Sequence, residues 1–100
     1  MAHGSSWTKD QVLFLIVLKL CSKHRWKQTA EILRQKFPGT TATAKDCESK
    51  FNKDLKKVVE RDWIEKFKAD AVIPQEEAGR RVIAQLVVWL GEMNAEDRVV

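Results

Sequence analysis

Four stretches of this chain carry hydrophobic residues at helical spacing. The first runs from about Trp7 to Lys23, with Ser6 or Thr8 as its cap, and its middle, Val12–Leu18, is apolar on every face. A surface helix shows a single apolar stripe, so a helix that is apolar all round must be covered on two sides. The pattern predicts that an element beyond a three-helix unit packs on this first helix.

The second and third predicted helices are separated by turn signals. The second spans about residues 26–36 and is stopped by Pro38-Gly39, and the third begins near Ala44 after a polar loop. Two extents fit the third helix: it continues to about residue 67, or it breaks near residue 62. Its apolar residues share one face and are Cys47, Phe51, Leu55 and Val58.

A fourth helix is predicted to open at Pro74, which suits a first helical position, with Glu76 and Glu77 in its first turn. Its broad apolar stripe comprises Val82, Ile83, Leu86, Trp89, Leu90 and Met93. We expect this stripe to pack on the first helix and complete an all-α fold. Alternatively the stripe meets a second copy or another protein, and the candidates for that contact are Val82, Leu86, Trp89, Leu90 and Met93. Residues 96–100 are expected to fray.

Charge divides the chain into two halves. Residues 1–57 hold twelve basic and five acidic side chains, a net charge of +7, whereas residues 58–100 hold six and nine, a net charge of −3. A basic half joined to an acidic half suggests one surface for a polyanion and another for a different partner. Chance on a short chain is the alternative.

Little in the sequence indicates catalysis, a metal site or a membrane span. The chain has two histidines, which leave little acid–base chemistry, so we expect no enzyme activity, no cofactor and no small-molecule substrate. Cys21-x-x-His24 has no second ligand pair at zinc-site spacing, so Cys21 and Cys47 are expected to be core residues in a reducing compartment. The apolar run Val12–Leu18 is far too short to span a membrane.

The tryptophan spacing and the third helix resemble a Myb/SANT repeat. Trp7 and Trp26 lie 19 positions apart, and Thr43–Phe51 follows the pattern T-x-x-x-C-x-x-[RK]-[WF] of that repeat's third helix. The resemblance implies a three-helix helix-turn-helix that binds double-stranded DNA in a nuclear transcription or chromatin protein. The helix-turn-helix would cover residues 7–60, between a flexible lead-in at 1–6 and a helical extension at 61–95.

The third helix supplies the candidate DNA-contacting residues on the side opposite its apolar face. The candidates for base contacts are Lys45, Ser49, Asn52 and Lys53, and in the Myb resemblance the first, second and last of these occupy base-contacting positions. Nearby cations are candidates for phosphate contacts: Lys23, Arg25, Lys27, Lys50, Lys56 and Lys57. Two other interpretations stay open, the solvated face of an amphipathic helix and a protein-interaction module, of SANT or dimerisation type, in a chromatin complex.

Overall fold

Five α-helices account for most of residues 7–99, the part of the chain that the computed structural model describes. The helices are α1 (Lys9–Cys21), α2 (Trp26–Lys36), α3 (Ala44–Ser49), α4 (Val59–Asp70) and α5 (Glu77–Glu92). A π-helical segment, Lys50–Asp54, continues α3, and a 3₁₀ turn, Ala95–Asp97, follows α5. The described residues form no β-strand, so the prediction of an all-α fold is confirmed. The predicted lead-in, residues 1–6, lies outside the described range.

Helix α1 forms the centre of the core. Its start is fixed by Thr8, whose hydroxyl accepts from the backbone N–H of Gln11, while the Gln11 side-chain oxygen accepts from the Thr8 N–H. Four consecutive residues in its middle, 15–18, are at most 1% exposed, which means that every face of the helix is covered there. Helices α2, α4 and α5 all pack against α1. The prediction that elements beyond a three-helix unit cover this helix is confirmed.

The third helical stretch ends earlier than predicted. After Ser49 the backbone widens into a π-helical turn, in which the Leu55 N–H donates to the carbonyl of Lys50, five residues earlier, at 3.0 Å. The chain then turns through residues 55–57, and α4 begins at Val59.

Arg61 of α4 closes the end of this π-helical segment. Its guanidinium group donates to the Phe51 carbonyl at 3.3 Å and lies 4.1 Å from the centre of the Phe51 ring. The residue that satisfies this carbonyl belongs to the next helix, so the hydrophobic spacing does not reveal the break. The predicted continuation to residue 67 and the predicted break near residue 62 are both wrong, and the predicted boundary at residue 60 falls inside α4.

Helix α5 begins at Glu77, later than the predicted start at Pro74. Pro74 lies beside the first turn of α5, where a methyl group added at Gly79 would overlap its ring and would lie 3.1 Å from the Trp63 ring. Gly79 is buried. The missing side chain at this position lets Pro74 and Trp63 pack directly on the helix backbone, so the proline acts as a packing residue outside the helix.

The large apolar residues of α5 pack onto α1 and α4. The rings of Phe14 and Trp89 meet edge to face with their centres 5.0 Å apart. The five candidates for partner contacts therefore lie in or beside the chain's own core: Leu86, Trp89 and Leu90 are buried, and Val82 and Met93 are half-buried. This packing agrees with the fold-back interpretation and leaves only Val82 and Met93 partly accessible to a partner.

Residues 95–99 return to the junction of α1 and α2, so the predicted fraying is wrong for residues 96–99, and residue 100 lies outside the described range. The Lys23 N–H donates to the Asp97 carbonyl at 2.9 Å, and the Val99 N–H donates to the Cys21 carbonyl at 3.0 Å. These long-range backbone bonds tie residues 95–99 to the end of α1.

Candidate nucleic-acid interface

The candidate interface is built on α2 and α3, which pack against each other. Thr43 opens α3 with a capping box, in which its hydroxyl accepts from the Asp46 N–H at 3.2 Å and the Asp46 carboxylate accepts from the Thr43 N–H at 3.0 Å. Cys47 is fully buried on the inner side, and the Phe51 ring lies 5.7 Å from the Trp26 ring of α2. One side of α3 is thus fixed to the core, and its other side faces outward.

The outward side carries the four candidates for base contacts. Lys45, Asn52 and Lys53 are exposed, and Ser49 is half-buried. Three of the four line one shallow groove, which we call the α3 groove and which is formed by Trp7, Lys45, Asp46, Ser49, Lys50, Lys53 and Asp54. Asn52 is exposed outside this groove. The structure therefore brings Lys45, Ser49 and Lys53 together and separates Asn52 from them.

The π-helical segment explains why Asn52 is separated. A turn closed by an i→i+5 hydrogen bond is wider than an α-helical turn, so residues after Ser49 are displaced from their α-helical positions. Lys45 and Ser49 keep the α-helical spacing, and Lys53 still lies in the α3 groove with them.

The α3 groove carries a net positive charge, because three lysines and two aspartates line it. Asp54 lies 3.5 Å from the Lys50 ammonium nitrogen, and Asp46 is held by its cap. Within residues 7–99, neither Lys45 nor Lys53 has a carboxylate within ion-pair distance. These two ammonium groups can therefore approach an anion without first giving up an ion pair.

Three candidates for phosphate contacts lie where α1 meets α2. Lys23, Arg25 and Lys27 are all exposed. Lys27 lies in the first turn of α2 and lines a second groove, which reaches the start of α3. Lys23 is beside the C-terminal segment, which brings the acidic pair 96–97 close to it. Of the three, Lys27 is the best placed to act together with α3.

The other three candidates for phosphate contacts differ in side-chain exposure and in ion pairing. The Lys50 side chain is only 17% exposed and pairs with Asp54, so a phosphate would have to share or displace that carboxylate. Lys56 and Lys57 are exposed, but they lie in the turn after the π-helical segment. Both extents predicted for the third helix include these two lysines, but the helical stretch has ended before them.

Arg34 is not among the candidates named from the sequence, but it lines the second groove with Lys27 and Thr41. The Arg34 guanidinium donates to the Ala42 carbonyl at 2.7 Å and so fixes the loop that leads into α3. Arg34 follows Lys27 by seven positions, which is two helical turns, so the sequence does place both cations on one face of α2.

Both cysteines are buried. Burial raises the pKa of the Cys21 thiol to about 11, and burial, with a smaller effect from Asp46, raises the pKa of the Cys47 thiol to about 11. Both thiols are therefore neutral at physiological pH. Residues 7–99 contain no group of three or more potential metal-ligating side chains, and none of their helices is both long and apolar enough to cross a bilayer.

Comparison of the chain with protein families, with curated proteins and with solved structures gives no significant match. The resemblance to Myb/SANT repeats therefore stays a prediction from the residues of this chain.

Proposed function

We propose that residues 7–60 form a Myb/SANT-like helix-turn-helix that binds double-stranded DNA through α3 and the π-helical segment, in a nuclear protein of transcription or chromatin. One observation carries the proposal: Lys45, Ser49 and Lys53 line a single outward groove on a helix whose opposite side is locked into the core. A reading helix needs this combination, because its donors must be presented on a rigid support.

Shape supports DNA as the ligand. An α-helix with side chains is about 10–12 Å across, which matches the width of the major groove, about 12 Å. In that position Lys45, Ser49 and Lys53 would reach base edges as donors. Lys27 and Arg34 of α2, whose groove reaches the start of α3, would meet a phosphate strand. Lys56 and Lys57, in the turn beyond the π-helical segment, would meet the backbone at the other end.

Charge supports DNA over a basic peptide. A SANT-type reader of lysine-rich tails requires an acidic groove, whereas the α3 groove has an excess of one positive charge. The whole of residues 1–57 has a net charge of +7. A polyanion gains from releasing its counterions on such a surface, and a polycation is repelled.

Fluorescence anisotropy with a labelled DNA duplex, measured at two salt concentrations, tests the proposal. We expect the affinity to fall with salt and the variant Lys45→Ala/Lys53→Ala to bind on the order of 10- to 100-fold more weakly. The matched control is Lys66→Ala/Lys68→Ala, which removes the same charge from exposed positions of α4 and should keep nearly full affinity.

Two results would contradict the proposal. If both double variants lose the same affinity, binding depends on net charge and not on α3. If wild type ignores duplex DNA and binds a lysine-rich peptide instead, the surface is a protein-interaction module.

A further inference from the structure

Helix α5 has a second apolar face, on the side opposite its buried stripe. Ala84, Val87, Val88 and Gly91 follow the spacing i, i+3, i+4 and i+7, which places them on one face of a helix, and all four are exposed. The two valines are 53% and 54% exposed. We call this surface the α5 outer face.

No element among residues 7–99 covers the α5 outer face. Helix α5 packs on α1 and α4 through its other side, and α3 packs on α2. The α3 groove and the α5 outer face therefore belong to different parts of the fold, and something bound to one of them leaves the other accessible.

Charges flank the α5 outer face in an arrangement that complements itself. Arg81 precedes the four residues and Glu92 follows them. They are eleven positions apart, close to three full helical turns, so both lie along the same edge of the face. Both side chains are mostly solvent-exposed: that of Arg81 is 78% exposed and pairs with Glu77, and that of Glu92 is 58% exposed and pairs with Lys36.

The direction of a second helix decides whether these charges attract. If two copies of α5 lie antiparallel with the centres of their outer faces in register, a two-fold axis keeps the charged edges on the same side. Arg81 of one copy then lies two residue positions, or about 3 Å along the axis, from Glu92 of the other. In a parallel pair, the two-fold axis would place the charged edges on opposite sides of the interface, so Arg81 and Glu92 would not meet.

We infer that the α5 outer face is a homodimerisation surface, in which two copies of α5 pack antiparallel around a two-fold axis. Val87 and Val88 form the apolar centre, and Ala84 of each copy faces Gly91 of the other, which lets the backbones approach closely. Two symmetric pairs between Arg81 and Glu92 set the antiparallel direction. The occupant is a second copy of this chain because the surface carries both halves of its own charge pattern.

The dimer is weak and transient. One helix face of four small residues buries less than the roughly 1,000 Å² expected of a stable interface, so association is in the micromolar range or weaker. On DNA the dimer would hold two α3 grooves at a fixed separation, and local concentration would then favour pairing.

Sedimentation equilibrium without DNA, from about 10 µM to about 1 mM protein, tests the inference directly. The average mass should rise with concentration from that of one chain toward that of two. Val88→Asp should weaken association by about tenfold or more, because each dimer would bury two unpaired carboxylates at its centre. Circular dichroism melts establish that the variants remain folded.

Charge-reversal variants provide a more specific test of the pairs between Arg81 and Glu92. Arg81→Glu and Glu92→Arg should each weaken the dimer by about tenfold, since each breaks two symmetric pairs and adds repulsion. The combination Arg81→Glu/Glu92→Arg should restore association to within about threefold of wild type. Lys9→Glu, at an exposed position of α1, is the matched single-charge control and should leave the dimer unchanged.

A protein that stays monomeric throughout the concentration range overturns the inference. The inference is also overturned if Val88→Asp leaves the dimer affinity unchanged, or if the double charge reversal dimerises as weakly as the single reversals. These assays contain no DNA, so their failure would leave the proposed DNA-binding function untouched.

Discussion

Helix α5, and α3 together with its π-helical continuation, both turn hydrophobic side chains toward the core, but they present opposite chemistry to solvent. The outward side of α3 and its π-helical continuation offers Lys45 and Lys53, whereas that of α5 offers Val87 and Val88. A cationic face remains hydrated until it binds a polyanion, which releases its own counterions on binding. An apolar face is stabilised when another apolar surface covers it. Helix α5 is therefore apolar on two faces, and the face with the larger side chains is the buried one.

The largest expected effect is on the free energy of unfolding, and it distinguishes the buried face of α5 from the α5 outer face. Leu86→Ala removes a fully buried side chain and should lower the free energy of unfolding by about 2–5 kcal/mol, because it leaves a cavity beside α1. Val87→Ala, next to it on the outer face, should change stability by no more than about 0.5 kcal/mol. Urea unfolding of dilute, monomeric protein measures both values. Equal losses would show that the outer face is also packed inside the folded chain.

A second pair of variants compares two positions of α5 with the same substitution. Gly79→Ala should cost about 1–3 kcal/mol, because its methyl group would overlap the rigid Pro74 ring. Gly91→Ala meets no atom within 4 Å and should stabilise the monomer by up to about 1 kcal/mol, because alanine loses less backbone freedom on folding. Thermal unfolding at low concentration gives both signs. A stable Gly79→Ala variant would mean that Pro74 does not hold the start of α5.

Sequence signals from neighbouring residues were sufficient to predict the helix boundaries and the buried helix that depend on those residues alone. The predicted span of α2, residues 26–36, agrees with the structure, and the start of α3 at Ala44 follows from the Thr43 cap. The all-round hydrophobicity of α1 correctly predicted additional cover, because a buried helix must be enclosed on every side. These features depend on residues within one or two turns of each other.

Features that depend on distant residues were not predictable in this way. The spacing of Cys47, Phe51 and Leu55 is compatible with an α-helix, and the π-helical turn is completed by Arg61 from the next helix. Pro74 carries a helix-start signal, but its contact with Gly79 places it outside α5. The stripe of large side chains on α5 was predicted to pack on α1 and does so, but the second apolar face, with Val87 and Val88, was not recognised from the sequence.

The candidate site shows the same division. Outward exposure of Lys45 and Lys53 was predictable from the buried side of α3, but the separation of Asn52 follows from the π-helical turn. The pairing of Lys50 with Asp54 joins residues one turn apart and is a standard i, i+4 ion pair, so it could have been anticipated. The position of Lys56 in a turn could not, because it depends on where the helix ends.

The smallest expected effect tests whether the lysines of the cationic surface contact DNA in two different ways, one group through bases and the other through phosphates. Lys56→Ala, in the turn, should weaken DNA binding by about 1 kcal/mol on every duplex and should reduce the slope of log affinity against log salt by about 1, as the loss of one phosphate contact requires. Lys53→Ala, in the α3 groove, should cost about 1–3 kcal/mol on the preferred duplex and less on others, because a base contact depends on the base. Anisotropy titrations with several duplexes at several salt concentrations distinguish the two behaviours. If Lys53→Ala acts uniformly across sequences as Lys56→Ala does, α3 contacts only phosphates, and the charged face binds DNA without reading it.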